Sequence, residues 1–240
     1  MLWYRAVSRG GLDIYALAED MLDIHEVTPI LNEYYFETLD KLKFKTLLDV
    51  GCGSGGFLSD LSFKHPTVET MGIDLSPVMI KNSQAKGLNA HCIDLCKVDK
   101  KFDVITAIFD MVNYLSDKQL KRFLSCIEER LEKGGHFICD INTLYAFKVV
   151  ASGSFIKDAG NRFLTIDSDY IEDDGIYYMD FTLFSKESEN EGFSKLQDSI
   201  TQYYHKVERL KKLTKMKLIL KTPISIYGNT TEKFYLVFKK

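Results

Sequence analysis

The chain has 240 residues, 45% of them hydrophobic and 27% charged, with a formal net charge of −3. That length builds one full α/β core with room for a subdomain, but not two ordinary enzymes. The acidic balance excludes the broad basic face of a nucleic-acid binder. No apolar run reaches the roughly 18 residues of a spanning helix, and no Arg-rich or apolar leader opens the chain. A cytoplasmic protein without nucleic-acid or membrane partners is expected.

The first 45 residues read as helical. Ile14, Leu17, Ala18, Met21 and Ile24 recur near helical spacing, and Thr28-Pro29 reads as an N-cap with proline at the first helical position. Leu31, Tyr34, Tyr35 and Leu39 give this second helix an apolar face. Residues 46–50 then form a short buried strand that runs into glycines, with a helix over 56–64 and a second strand over 69–74. Ser76-Pro77 starts the next helix, and strands follow over 89–95 and 102–109. Ser116 and Gln119 make a capping box ahead of Leu120, Phe123, Leu124, Ile127 and Leu131, a helix that Gly134-Gly135 ends before a strand over 136–141. Strands alternating with helices at this spacing imply βαβ units, a parallel sheet and a ligand-binding edge at the strands' C-terminal ends.

After about residue 155 the pattern becomes antiparallel, with strands over 163–166, 169–171, 176–184 and 199–205 and a turn at Asp173-Asp174-Gly175. A helix over 207–213 leads to two last strands, 217–227 and 233–239, which flank Gly228-Asn229 and return to the main sheet as an antiparallel finish. The five cysteines, Cys52, Cys92, Cys96, Cys126 and Cys139, are odd in number and irregularly spaced, so all are expected as reduced thiols; no metal site is expected.

The chemistry concentrates in Leu47-Leu48-Asp49-Val50-Gly51-Cys52-Gly53-Ser54-Gly55-Gly56. Gly51, Gly53 and Gly56 satisfy G-x-G-x-x-G, which by itself does not separate a dinucleotide from another nucleoside ligand. Asp49 does: a pyrophosphate there would meet a carboxylate, and like charges at short range are costly. S-adenosylmethionine has no phosphate and carries a cationic amino group and sulfonium, which suit that carboxylate. Asp74 ends the second strand about 20 residues on, where an acidic residue hydrogen-bonds ribose hydroxyls. Asp94 closes the third strand, where it can accept from an adenine amino group while Ile93 packs on the ring.

Leu47 to Gly55 resembles the first motif of class I S-adenosylmethionine-dependent methyltransferases. Gly72 to Ser76 resembles their ribose motif, Asp94 their adenine motif, 102–109 the strand beside the transferable methyl, and Gly134 to Phe137 the turn before strand five. The resemblance implies an α/β, Rossmann-like methyltransferase fold: a mostly parallel seven-stranded sheet with helices on both faces and an antiparallel β insert as cap. Residues 1–150 plus 206–240 would form the cofactor-binding domain with an N-terminal helical cap (1–45), and 151–205 the insert over the active site. It also implies S-adenosylmethionine as cofactor, S-adenosylhomocysteine as product, and a cofactor shell of Tyr15, Asp49, Gly51, Cys52, Gly53, Asp74, Leu75, Met79, Ile93, Asp94, Leu95 and Phe109. Lys215-Met216 stands where family members often have Gly-Phe.

On the acceptor side, Asp110, Asn113 and Tyr114 follow the fourth strand, and Tyr203, Tyr204 and His205 lie in the cap. Asp110, Tyr114 and His205 are the catalytic candidates, His205 as a base that titrates near neutrality. Residues 158–198 carry 11 carboxylates, among them Glu187, Glu189 and Glu191, against 3 basic residues, a difference of −8 that would steer a cationic amine. The function expected is methyl transfer to N or O of a small-molecule acceptor, with a homodimer among the assemblies allowed. The alternatives are a methyltransferase of RNA or protein, which would want a basic groove, and a non-catalytic S-adenosylmethionine-binding module. A nicotinamide oxidoreductase is disfavoured by Asp49.

Overall fold

The computed structural model describes residues 11–22, 27–186, 188, 192–228 and 230–240. Ile24, Glu187, Glu189, Glu191 and Asn229, which enter the sequence reading above, lie outside the described residues. Helices Leu12–Ala18 (α1) and Thr28–Leu39 (α2) precede strand Thr46–Val50 (β1). The βα alternation runs through Gly56–Lys64 (α3), Glu69–Asp74 (β2), Pro77–Ala85 (α4), Ala90–Cys92 (β3), Phe102–Ala107 (β4), Asp117–Arg130 (α5) and Leu131–Asn142 (β5). Four insert strands follow, Gly153–Asp158 (β6), Arg162–Ile171 (β7), Ile176–Ser185 (β8) and Ser194–Tyr203 (β9). Helix Val207–Leu213 (α6) and strands Lys217–Ile224 (β10) and Lys233–Lys239 (β11) complete the chain.

The main sheet has seven strands in the order β10-β11-β5-β4-β1-β2-β3. β1 pairs in parallel with β2 and β4, β2 with β3 and β4 with β5, while β11 runs antiparallel between β5 and β10. Successive residues of a strand face opposite sides of a sheet. Leu47 therefore joins one core with Leu31, Leu39, Leu58 and Leu61 of α2 and α3, while Leu48 joins the other with Leu120, Leu124, Ile127 and Leu210 of α5 and α6. Helices on both faces bury Leu47, Leu48 and Val50 of β1, and its C-terminal end is the place where a polar side chain can serve a ligand.

The insert is a separate sheet in the order β6-β7-β8-β9. Leu164, Ile166, Phe181, Leu183 and Ile200 bury its inner face against Ile14, Ala18, Met21 and Leu22. α1 thus packs on the insert, whereas α2 packs on the main sheet, so the N-terminal helices divide between the two units.

Several sequence expectations shift. Residues 163–166 and 169–171 merge into one strand, and β6 is a strand that the sequence reading lacks. The N-cap of α2 is Val27, with Thr28 already helical and no side-chain cap bond. The third strand stops at Cys92 because the Asp94 carboxylate accepts from the Cys96 N–H and draws the chain into the 3-10 turn Leu95–Lys97. α5 ends at Arg130 rather than at the glycines; Leu131 already pairs with Phe102, and Gly134, at φ +83°, lies within the irregular start of β5.

The reading of five reduced cysteines is also corrected. Cys96 and Cys126 are disulfide-bonded, Cα to Cα 5.2 Å, and tie the turn after β3 to α5; Cys52, Cys92 and Cys139 are free. Their separation of 30 residues gives no hint of this, because the packing of α5 beside that turn makes the pair. Among the described residues no helix is long and apolar enough to cross a membrane.

Candidate active site

β1 runs out into Gly51, Gly53 and Gly55, at φ +75°, +54° and +81°. These left-handed conformations suit residues without a Cβ, and they let the chain double back tightly at the sheet edge. The Gly51 and Cys52 N–H groups donate to the Ile73 carbonyl at 2.8 and 3.0 Å, and Gly55 N–H donates to Cys52. Asp74, at the end of β2, knits the loop from the other side. Its Oδ2 accepts from Gly53 N–H at 3.0 Å and its Oδ1 from Ser76 N–H at 2.8 Å. Burial raises the Asp74 pKa, opposed by those N–H groups.

Asp49 is fully buried at the end of β1. Its Oδ1 accepts from the Thr106 hydroxyl at 2.7 Å, but its Oδ2 has no hydrogen-bond partner. Burial pushes its pKa up to about 7, with Thr106 pulling it down and Asp74 adding to the rise. A buried carboxylate oxygen without a donor is costly to keep unless a ligand supplies one. The missing donor matches a cationic amino group.

On the side expected to hold an adenine, Met79 is buried in the first turn of α4, whose N-cap Ser76 accepts from its N–H. Leu95 is buried, Ile93 is half-buried and Leu75 is exposed. Asp94 is already engaged: besides Cys96 N–H it takes both terminal nitrogens of Arg122 at 3.1 and 3.2 Å. The N-terminal segment closes on the same edge. Ser54 donates to Glu19 at 3.0 Å and Ser76 to Asp13 at 3.3 Å.

The loop after β4 lies over the glycines. A Cβ on Gly51 would come within 2.5 Å of Met111 Cγ. Phe109 and Asp110 both have positive φ, +57° and +52°. For a phenylalanine that conformation is an outlier, held only where surrounding structure dictates it. Asp140, near the C-terminal end of β5, dictates it. Its carboxylate accepts from Phe109 N–H (2.7 Å), Asp110 N–H (2.9 Å), the Tyr35 hydroxyl (2.7 Å) and Lys233 Nζ (2.9 Å). Lys233 also reaches Asp110 Oδ1 at 2.6 Å, and Gln202 donates to Asp110 Oδ2 at 2.6 Å. Burial alone would lower the Lys233 pKa, yet the two carboxylates hold its ammonium above the usual range. Asp110 is raised by burial, opposed by Lys233.

Tyr15 and Tyr114 converge on Asp110. Burial, and then the Asp110 charge, raises both phenols. Tyr15 also meets Phe181 of the insert edge-to-face, with ring centroids 6.3 Å apart. The structure therefore brings Tyr15, Asp110 and Tyr114 together and adds Gln202, Lys233 and Asp140, which the sequence reading does not single out, and Tyr35, which it reads only as part of an apolar helix face. The available signal was a charged residue in the apolar run Phe137-Ile138-Cys139-Asp140-Ile141.

His205 and Asn113 face elsewhere. Buried His205 donates from Nε2 to the Leu115 carbonyl at 2.7 Å, and burial lowers its pKa. Asn113 donates to the Tyr203 carbonyl and accepts from Asn142 N–H, which ties the loop to β5 and β9.

The sheet order, the glycine turn and the carboxylates at the ends of β1 and β2 define a Rossmann-like methyltransferase fold. Residues 47–135 match the model of a methyltransferase domain. A ubiquinone biosynthesis O-methyltransferase of Coxiella burnetii is 33% identical over 135 residues, covering 52% of this chain and 55% of the relative. The chain thus spans about half the length of that curated relative. Among solved structures, an S-adenosylmethionine-dependent methyltransferase from Clostridium acetobutylicum has a TM-score of 0.74 at 23% identity, covering 95% of this chain and 96% of that one. An amino pentose methyltransferase from Micromonospora echinaspora, solved with S-adenosylmethionine bound, has a TM-score of 0.67 at 16% identity, covering 100% of this chain and 98% of that one. At these identities the two structures share the fold.

Proposed function

We propose that the chain is an S-adenosylmethionine-dependent methyltransferase that moves a methyl group to nitrogen or oxygen of a small molecule. The observation that carries the reading is the buried, unpartnered Asp49 oxygen above the glycine turn. It fits a ligand that brings a cationic donor and no phosphate. Asp49, Gly51, Cys52 and Gly53 would hold the amino-acid portion and Asp74 the ribose. Met79, Ile93, Asp94, Leu95 and Leu75 would frame the adenine, with Phe109 and Tyr15 toward the methyl. S-adenosylhomocysteine would be the product.

Bound S-adenosylmethionine supplies an electrophilic methyl whose bond to sulfur breaks with the electron pair staying on sulfur. The protein then needs to align an acceptor lone pair and exclude water. Asp110 is the side chain we assign to the reacting groups, where it would face both the sulfonium and the acceptor and would take the proton of an acceptor that arrives protonated, with Tyr114, its phenol kept protonated by burial, beside it to orient the acceptor. His205 we assign to positioning, because its bond to Leu115 anchors the start of α6 to the loop after β4. The insert, with α1 on its inner face, would form the lid. A small acceptor accords with the acidic insert and with the kinds of protein the chain is similar to, a ubiquinone biosynthesis O-methyltransferase and an amino pentose methyltransferase.

Labelled S-adenosylmethionine offered with panels of amino sugars and phenols tests this. A methylated small molecule together with S-adenosylhomocysteine is expected; label entering only RNA or protein would overturn the acceptor class. Asp74→Ala should weaken S-adenosylmethionine binding by about 1–3 kcal/mol through loss of charge-assisted hydrogen bonds, measured by calorimetry, and an unchanged affinity would remove the ribose role. A pH dependence follows from Asp49. Because its carboxyl titrates near 7 in the free protein, pairing with an ammonium requires loss of that proton below neutrality. Affinity should fall about tenfold per pH unit below 7, with proton release visible when titrations are repeated in buffers of different ionisation enthalpy.

A further inference from the structure

Three features cluster beside the site: the left-handed Phe109–Asp110 turn, the Asp140 carboxylate that holds it, and buried Lys233 between Asp140 and Asp110. Asp140 is fully buried and accepts four hydrogen bonds, two from the turn's own backbone, so its lone pairs are used up in shaping the loop. Asp110 keeps slight exposure, 13% of its side chain, and is the outermost member of the group. Met111, the next residue, lies over Gly51. β4, which leads into the turn, pairs with β1 through Thr106 opposite Asp49. The turn therefore stands directly over the edge where the glycines and Asp49 meet. Two carboxylates share one ammonium, which leaves one net negative charge in a water-poor place where charges act strongly.

Resting on the proposed function, we infer that Asp140 and Lys233 are positioning residues that aim Asp110 at the sulfonium, so that the edge distinguishes the cationic cofactor from its neutral product. Methyl transfer converts the sulfonium into an uncharged thioether. An edge with net negative charge holds the first and lets go of the second, which favours exchange of product for fresh cofactor. Asp49 cannot make this distinction, because the amino group it would face is present in both molecules.

The test is the ratio of affinities for S-adenosylmethionine and S-adenosylhomocysteine, each measured by calorimetry on the full chain. In Asp110→Asn, which keeps a carbonyl for Lys233 and lets the Gln202 amide turn to match, the affinity for S-adenosylmethionine should fall about tenfold while that for S-adenosylhomocysteine stays within about twofold. Asp49→Asn should weaken both alike. Asp140→Asn, where it folds by near-ultraviolet circular dichroism, should lose the discrimination as Asp110→Asn does, since the turn is no longer held; a purely structural role would weaken both ligands in proportion. An unchanged ratio in Asp110→Asn, with both ligands still binding, overturns this inference and leaves the proposed function standing. Failure of the unaltered protein to bind either ligand overturns the proposed function itself.

Discussion

Asp140→Asn is expected to cost the fold about 3–5 kcal/mol, the range for breaking a buried charge pair by removing one partner. The carboxylate of Asp140 receives two backbone N–H groups, the Tyr35 hydroxyl and the Lys233 ammonium at 2.7–2.9 Å. An asparagine amide turns one acceptor into a donor, so two of those four donors would face N–H groups. Tyr35 and Lys233 have little access to water, and the Phe109–Asp110 backbone would lose what holds it left-handed. Domains of this kind are stable by only about 5–15 kcal/mol, so the loss should be visible as a large drop in the urea midpoint. A change below about 1 kcal/mol would mean that the turn is held by something other than this carboxylate.

The second large effect separates stability from binding. Asp49→Asn should weaken S-adenosylmethionine binding by about 3 kcal/mol, close to a hundredfold, because a buried ammonium would lose its counter-charge. The free protein should gain. The Asp49 carboxyl has a pKa raised to about 7 by burial, above its unfolded value of 3.8. A raised acid contributes stability that is full below the unfolded pKa and is lost as pH climbs through the folded one. The unaltered protein should therefore lose stability from about pH 4 to about pH 7 through this group, and the asparagine variant should not. Chemical denaturation across that range, set beside ligand titrations at pH 8, measures both halves. A variant less stable than the parent at pH 8 would contradict the account of an unpartnered carboxylate.

What the sequence discloses and what it hides divide along chain separation. The glycine turn, Asp49 and Asp74 are legible because strand, turn and carboxylate are neighbours in sequence, and the chemistry of a phosphate-free cation follows from which charge sits two residues before Gly51. The antiparallel finish of 217–239 is legible from two strand-like segments that flank Gly228-Asn229. Asp140 and Lys233 are hidden because their meaning is made across 93 residues. Only the pairing of β5 with β11, Lys233 opposite Asn142, brings the lysine beside the Asp140 carboxylate. The same holds for the Cys96–Cys126 bond and for His205, whose type suggests a base but whose ring is turned to the Leu115 carbonyl. Ends of elements are blurred for a local reason: Asp94 captures a nearby N–H and cuts β3 short, which no average strand propensity foresees.

The claim on which the account rests is that the edge formed by β1 and β2 takes an adenosyl amino acid rather than a diphosphate nucleotide. Calorimetric titration of the purified chain with S-adenosylmethionine, S-adenosylhomocysteine and NAD at pH 8 addresses it most directly. One molecule of each adenosyl compound should bind per chain, with no heat from NAD. Saturable binding of NAD, with silence from both adenosyl compounds, would contradict it.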